Sequence, residues 1–414
     1  MQKIIIKNLG PIQEAEVILK PFMVFTGKSG RGKSVLLRTI SLIKWLYKQK
    51  QIKSFHEAEL SNDNIDQKEF MNYLKDSMLD IYINHNTEIT FMDDKPLMEI
   101  KDKSITLYQE HIKTEQLIGK IVFINDTRNF LPELFTLPDQ RKIKLSYHTD
   151  DMIANFIESI KNLKSLKLNS MENITLMPEK EADFNKYYLK YNDIKIPFEQ
   201  SSSGEKSTTI IEIISNYFAY EYDIEDNFLD KVIIRNIVFD LGKLINIKDK
   251  FIKDKFIKND VIDAIERIKL IKTLISKKNK PNLEIFIEEP ESNLFPINQM
   301  NMAYYLASLR NAKNKPNIMF STHSPYILTS LNNILYASMV EQKLQDNKKD
   351  DIYKIIDKKN IIDYKDLVAY KLENGKVESI MNKETNLIDA EYIDTVSDKI
   401  MDDFYKIAEL DNDK

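Results

Sequence analysis

Gly27-Lys28-Ser29-Gly30-Arg31-Gly32-Lys33-Ser34 spells G-x-x-x-x-G-K-S directly after the apolar run Phe22-Met23-Val24-Phe25. In that order of strand, glycine-rich turn and helix, backbone N–H groups cradle phosphate oxygens, Lys33 supplies a point charge, and Ser34 is placed to hold Mg2+. The helix that starts near Lys33 turns its positive end toward the same anion. Glycine usage sharpens the reading. The chain has 8 glycines in 414 residues, against a usual ~7%. Yet Gly27, Gly30 and Gly32 fall inside this octapeptide, and Gly204 falls inside a second motif. Glycine is needed where backbone must approach a ligand closely, so these residues point to a nucleotide binder.

Three further constellations carry chemistry. Leu283-Glu284-Ile285-Phe286-Ile287-Glu288-Glu289-Pro290-Glu291 is a hydrophobic strand that delivers two carboxylates at its C-terminal edge, where open parallel sheets bind ligands. There Glu288 is suited to order Mg2+ and Glu289 to orient and deprotonate an attacking water. Ile318-Met319-Phe320-Ser321-Thr322-His323-Ser324-Pro325 repeats the design and sets one of five histidines at a strand end, in a position to sense a terminal phosphate. His56, His85, His111 and His148 have no such setting. Ser201-Ser202-Ser203-Gly204-Glu205-Lys206-Ser207 precedes the apolar positions Ile210, Ile211, Ile213 and Ile214. Its serines suit a plain helix N-cap, or, with the helix dipole, a second anion site.

These groups need a scaffold, and the patterning supplies one. Lys3–Ile6 and Ala15–Leu19 read as strands joined through Asn8-Leu9-Gly10-Pro11, and apolar residues from Val35 to Tyr47 recur at helical spacing. Residues 51–80 read as polar helix, Ile81–Ile83 with Glu88–Met92 as a hairpin, Ile121–Ile124 as a buried strand, and 150–168 as an amphipathic helix. Leu367–Leu372 followed by Asn374-Gly375 predicts a strand and turn, with a final helix from Tyr392. Lys248-Asp249-Lys250-Phe251-Ile252 repeats at once as Lys253-Asp254-Lys255-Phe256-Ile257. It reads as a mixed-charge solvated face or as a tip that touches a partner or nucleic acid.

Composition bounds the rest. With 43% hydrophobic residues the chain can bury a large core, and ~100–200 residues per domain implies two or three lobes. Zero cysteines exclude disulfides, thiol catalysis and Cys-bound zinc. A net charge of −4 does not advertise nucleic acid. No apolar run approaches the ~18 residues of a membrane span and the N-terminus does not read as a signal peptide, so a cytoplasmic protein without membrane contact is expected.

Taken in order, the phosphate loop, the serine-glycine-glutamate segment, the strand with tandem carboxylates and the strand-end histidine resemble the ABC-type ATPase heads of SMC and DNA-repair proteins. The Glu288–Glu291 run, Leu294-Phe295-Pro296, Gln299 and Ser321–Pro325 look most like the AAA-type, OLD-like ATPases of bacterial antiphage systems. The resemblance implies an α/β P-loop NTPase fold, an ABC-ATPase-like head with a mixed β-sheet core and helical insertions. It implies ATP and Mg2+ as ligands. Gly27 through Ser34 would hold phosphate, Ser34 and Glu288 the metal, and Glu289 would be the catalytic base with His323 as switch. Ser202, Ser203, Gly204 and Glu205 would cap ATP held by a second copy, giving a homodimer or an oligomer of dimers.

On this resemblance 1–50, 200–215 and 281–345 form the ATPase core, and 51–199 a lobe with strands and a helical insertion. Residues 216–280 form a helical hairpin and 346–414 a strand-turn-helix extension. The implied use is as sensor and scaffold controlling a separate effector, a nuclease or toxin, since no Glu-Gly followed by Asp-x-Asp comes after His323 to mark a toprim nuclease. The rival is a RecF-like repair ATPase whose insertions bind DNA. Three departures stand out: Glu288 occupies a transporter Asp position, Ser203 a Gly position, and no Q-loop glutamine is evident. Asn125-Asp126-Thr127-Arg128 sits where relatives carry Pro-Ala-Glu-Arg, and only Arg128 matches.

Overall fold

A computed structural model of the chain describes residues 2–57, 67–108, 119–134, 146–161, 163–181, 184–225, 227, 282–389 and 399–406. Strands β1 (Gln2–Leu9), β2 (Ile12–Ile18) and β3 (Phe22–Thr26) lead through the glycine-rich turn into α1 (Lys33–Glu57). Next come α2 (Gln67–Asp76), β4 (Glu88–Asp93), β5 (Lys95–Lys101), β6 (Ser104–Leu107) and β7 (Gly119–Ile124). A 3-10 turn over Asp126–Phe130 passes into the short α3 (Leu131–Leu134), followed by α4 (Tyr147–Ile160). Strands β8 (Leu166–Lys167), β9 (Ile174–Glu181), β10 (Phe184–Tyr191) and β11 (Ile194–Pro197) form a separate four-stranded antiparallel sheet. Then follow α5 (Ser203–Asn216), β12 (Asn282–Glu288), α6 (Pro296–Leu309), β13 (Asn317–Thr322), α7 (Pro325–Glu341), α8 (Asp346–Tyr353), β14 (Leu367–Glu373) and β15 (Lys376–Ser379).

The main sheet has 11 strands in the order β6-β5-β4-β1-β2-β15-β14-β3-β13-β12-β7. Its β14-β3-β13-β12-β7 half is parallel throughout, and β1, β2, β4, β5 and β6 form an antiparallel wing. Parallel strands read as nearly continuous apolar runs because helices cover both faces, and each such strand here splits its side chains between two cores. Phe22, Val24, Ile285, Ile287, Ile318 and Phe320 join the core built with α5, α6 and α7. Met23, Phe25, Phe286, Met319 and Phe123 point the other way, to Leu36, Leu37, Ile40 and Ile43 of α1. A buried Lys44–Glu284 ion pair fastens α1 to β12. The result is the expected α/β fold with a mixed sheet.

Several local expectations change. Ile81–Ile83 is a turn, not a strand: Leu79 and Ile83 are buried and joined by an Ile83 N–H to Leu79 carbonyl bond, while Ile81 is 77% exposed. The partner of β4 in the hairpin is β5 instead. The helix read over 150–168 stops at Ile160. The 51–199 block does not keep to itself, since β4 to β7 belong to the main sheet and only β8 to β11 stand apart. The segment read as a C-terminal extension places β14 beside β3, where Leu367–Lys371 pair in parallel with Phe22–Thr26. Most of the 216–280 hairpin, including the Lys-Asp-Lys-Phe-Ile repeat, and 392–398 of the final helix lie outside the described residues; 399–406 are helical.

Candidate nucleotide site

Register decides which residues meet. In the parallel pairing Thr26 stands opposite Thr322, and Glu288 opposite Ser321. The next residue of each chain, Gly27, His323 and Glu289, therefore leaves the sheet at one edge, as strand ends in open parallel sheets do. Each exit is written locally. Gly27, Gly30 and Gly32 have φ of 145°, 76° and 98°, conformations closed to most L-residues. A Cβ on Gly27 would also strike the Leu372 carbonyl of β14. After β13, Ser324 caps α7 by accepting the Ile327 N–H at 3.1 Å, and Pro325 fills the first helical turn, where its missing N–H costs nothing.

The loop 27–34 surrounds the start of α1. Lys28, Ser29, Gly30 and Arg31 are exposed, Ser34 is half-buried, and Lys33 is only 5% exposed. The Lys33 ammonium donates to the Gly27 carbonyl at 2.8 Å and the Lys28 carbonyl at 3.2 Å, and lies 3.5 Å from His323 Nδ1. Burial lowers its pKa from the ordinary lysine range. His323 Nε2 is 3.1 Å from Glu289 Oε1. An imidazole carrying its proton on Nε2 satisfies both contacts, so Lys33, His323 and Glu289 form one continuous polar chain. The hydrogen bond from His323 holds the Glu289 carboxyl below the usual range.

Glu288 is different in kind. It is fully buried, its Oε2 accepts from Arg38 at 3.0 Å and from the Asp126 N–H at 3.3 Å, and burial pushes its pKa up despite the arginine. Its Oε1 is buried with no hydrogen-bond partner, which is costly unless something occupies it. Arg38 is one helical turn beyond Ser34 on α1, so Ser34 shares the face that reaches this carboxylate. A hard cation that takes oxygen ligands and keeps several waters suits an orphan carboxylate oxygen, and Ser34, on the helix face of Arg38, could supply a second oxygen. Among the described residues no group of three or more His, Asp or Glu is placed to hold a metal.

The two glutamates are held from behind. Arg128, fully buried, donates through Nη1 to the Asn125 carbonyl at 2.9 Å and the Glu288 carbonyl at 2.7 Å, through Nη2 to the Glu289 carbonyl at 2.6 Å, and through Nε to Ser207 Oγ at 2.7 Å. Burial lowers its pKa to about 10. Glu289 itself has φ of 44°, a left-handed backbone that costs a non-glycine residue about 1–2 kcal/mol. Its N–H donates to the Ser321 carbonyl at 3.0 Å. Glu291, also buried, accepts the His323 N–H.

Ser202, Ser203, Gly204 and Glu205 open α5. The Ser202 hydroxyl accepts the Glu205 N–H at 3.3 Å and the Glu205 carboxylate accepts the Ser202 N–H at 2.8 Å, a reciprocal capping box. Ser202 and Ser203 are exposed. Among the described residues no hydrogen bond joins this segment to the loop 27–34 of the same chain. Gly204 abuts the segment after Glu289, since a Cβ there would lie 2.5 Å from the Asn293 carbonyl oxygen. The structure thus gathers Gly27–Ser34, Glu288, Glu289 and His323, and leaves Ser202–Glu205 outside that cluster.

Sequence reasoning missed Arg38, Ser207 and Glu291 and gave Arg128 no role. Arg38 had a readable signal, an i+4 relation to Ser34 on one helix face. The partners of Arg128 are carbonyls and a distant serine, which leave no pattern in the sequence.

The AAA ATPase domain family, AAA_15, matches residues 264–328, a stretch that holds β12 with Glu288 and Glu289, α6 and β13 with His323. A search of curated proteins gives no match. Among solved structures, an SMC head bound to the C-terminal winged-helix domain of ScpA has TM-score 0.39 at 10% identity, covering 91% of this chain and 97% of that one. The SMC head of Thermotoga maritima has TM-score 0.35 at 10% identity with the same coverages. The ATP-binding cassette MJ0796, in a post-hydrolysis dimer with ADP and Pi, has TM-score 0.30 at 12% identity, covering 91% and 96%. No described helix is long and apolar enough to cross a membrane.

Proposed function

We propose that this chain binds and hydrolyses Mg-ATP, with two copies closing around the nucleotide. The observation that carries the reading is the polar chain from Lys33 through His323 to Glu289, 3.5 and 3.1 Å long in its two links, set across a glycine-rich loop at the edge of parallel strands. In this reading the loop N–H groups and Lys33 take the β- and γ-phosphates, Lys33 exchanging two backbone carbonyls for charge-assisted contacts. Mg2+, held by Ser34 and Glu288, would supply charge neutralisation at the phosphate oxygens. Glu289 orients a water and accepts its proton as the water oxygen bonds to the γ-phosphorus and the bridging P–O bond breaks. His323, donating through Nε2 to Glu289, orients that carboxylate; as the switch it would trade this bond for one to the γ-phosphate.

Ser202, Ser203, Gly204 and Glu205 would meet nucleotide held by the second copy. The exposure of Ser202 and Ser203, and the absence among the described residues of hydrogen bonds from this segment to the loop 27–34, support this. The capping box uses the N–H groups of Ser202 and Glu205, so those of Ser203 and Gly204 remain for an anion. Phe130 at 64%, Phe295 at 73% and Tyr326 at 48% exposure stand two to four residues from Arg128, Glu291 and Ser324 in the chain, exposed apolar side chains of the kind that partner surfaces cover. The wider role, an ATP-dependent switch that controls a separate effector in antiphage defence, rests on the sequence resemblance. The deciding experiment compares ATP turnover and oligomeric state of wild type and Glu289→Gln. Turnover in wild type, with loss of turnover and an ATP-trapped dimer in the variant, is expected; equal near-zero rates in both would remove the enzymatic claim.

A further inference from the structure

Beyond the ATPase reading, on which this rests, we infer that Arg128 is a positioning residue for Glu289 and that Ser207 locks it to helix α5. Three observations converge. First, Glu289 holds a left-handed backbone, φ 44°, at the position assigned to the general base. Such a conformation persists only where the surroundings over-determine it. Second, the Arg128 guanidinium supplies that constraint: it binds the carbonyls of both Glu288 and Glu289, at 2.7 and 2.6 Å, and is itself fully buried. Third, the remaining Nε donor is spent on Ser207 Oγ at 2.7 Å, inside α5 and one helical turn beyond the Ser203-Gly204 start.

The planar fork of arginine fits several acceptors in fixed directions, which a lysine cannot reproduce. A movement of α5 therefore reaches the backbone of Glu289 through a single rigid side chain. In the proposed dimer the N-terminus of α5 faces the partner's nucleotide while Glu289 serves the chain's own. The Ser207–Arg128 link thus makes closure on one nucleotide set the geometry of the base at the other. Because the hydrogen bonds of the Arg128 guanidinium among the described residues go to backbone carbonyls and Ser207, it acts through Glu289.

The test uses the full-length protein and separates binding from chemistry. Ser207→Ala deletes one hydroxyl and keeps the guanidinium and its carbonyl bonds. A hydrogen bond to a charged group, lost where geometry controls the reaction, corresponds to roughly a tenfold loss of kcat or more. The nucleotide Kd should stay within about twofold of wild type, a split that general loosening of the fold does not produce. Ser207→Thr, which keeps the hydroxyl, should restore kcat. In a Glu289→Gln background Ser207→Ala should change the residual rate little, because groups acting as one unit are not additive. Arg128→Lys should lose kcat more severely; should it fail to fold, the Ser207 series decides. Wild-type kcat in Ser207→Ala, or kcat and nucleotide affinity falling together, would overturn the inference while leaving the ATPase reading intact. Absence of turnover in wild type would overturn the ATPase reading itself, and this inference with it.

Discussion

Replacing Gly204 with alanine sets two effects against each other, and the structure decides between them. Gly204 is the second residue of α5 after the Ser202 cap, and its φ is not left-handed. Propensity alone therefore favours alanine by up to about 1 kcal/mol, less near a helix end. Against this, the added Cβ would sit 2.5 Å from the Asn293 carbonyl oxygen and 3.4 Å from its carbon. That oxygen is main chain, in a turn where Asn293 has φ of 64° and Leu294 is buried, so it cannot rotate away as a side chain would. Restoring ordinary contact needs the start of α5 to shift by about 0.5–1 Å, and such overpacking costs about 1–3 kcal/mol. The clash wins by about 1–2 kcal/mol, a fall in Tm of roughly 2–4 °C per kcal/mol at most for a chain of this size.

The same shift moves the exposed serines and Ser207, and a misplacement near 1 Å can cost about a hundredfold in rate. Turnover of Gly204→Ala should accordingly drop by about ten- to a hundredfold, with ATP affinity for the 27–34 loop unchanged. The assays are a thermal melt and steady-state hydrolysis on one preparation. A higher Tm together with turnover within twofold of wild type would show that α5 is not packed against Asn293 as described.

Lys33→Ala should weaken ATP binding by about ten- to a hundredfold, the worth of a charge-assisted contact, read by calorimetry; unchanged affinity would contradict the loop assignment. A pH effect follows from His148, which is buried against Phe123 with ring centroids 4.3 Å apart. Burial first, then the Arg38 charge, lowers its pKa to about 3. Its folded value lies below the unfolded one near 6.5, so the unfolded chain takes up the proton first and stability falls as pH drops below about 6.5. At pH 5 that amounts to about 2 kcal/mol, because the difference is set by the unfolded value while the folded ring stays neutral. His148→Phe should remove most of this loss in urea melts at pH 7 and pH 5; an equal loss in the variant would assign the acid sensitivity elsewhere.

What the sequence disclosed was what is contiguous. Each strand exit, Thr26-Gly27, Glu288-Glu289 and Thr322-His323, couples an apolar run to a polar step within a few residues, and that pairing is visible without any tertiary knowledge. The Ile81–Ile83 triplet failed because three alternating residues also fit a turn, and Leu79 and Ile83 at i, i+4 spacing took the buried places. The clamp around Arg128 was hidden for another reason. It joins the carbonyls of Asn125, Glu288 and Glu289 to Ser207, and a carbonyl acceptor imposes no residue type on its position.

The placement of β14 extends the same argument to the loop itself. Leu367–Lys371 run parallel beside Phe22–Thr26, although more than half the chain separates them, and nothing local in an apolar strand names its neighbour. The consequence is chemical as well as topological. The Leu372 backbone stands where a Cβ on Gly27 would go, so the requirement for glycine at the first position of the loop comes partly from β14 and not only from phosphate. Gly32, with φ of 98°, is crowded by the side chains of Pro11 and Ile12, while Gly30 has open space around it and keeps only its φ of 76° as a reason. Of the three glycines, one is thus fixed by the main chain of the strand behind the loop and a second is crowded by the turn into β2, so part of the shape that receives a phosphate is already imposed by the fold that carries it.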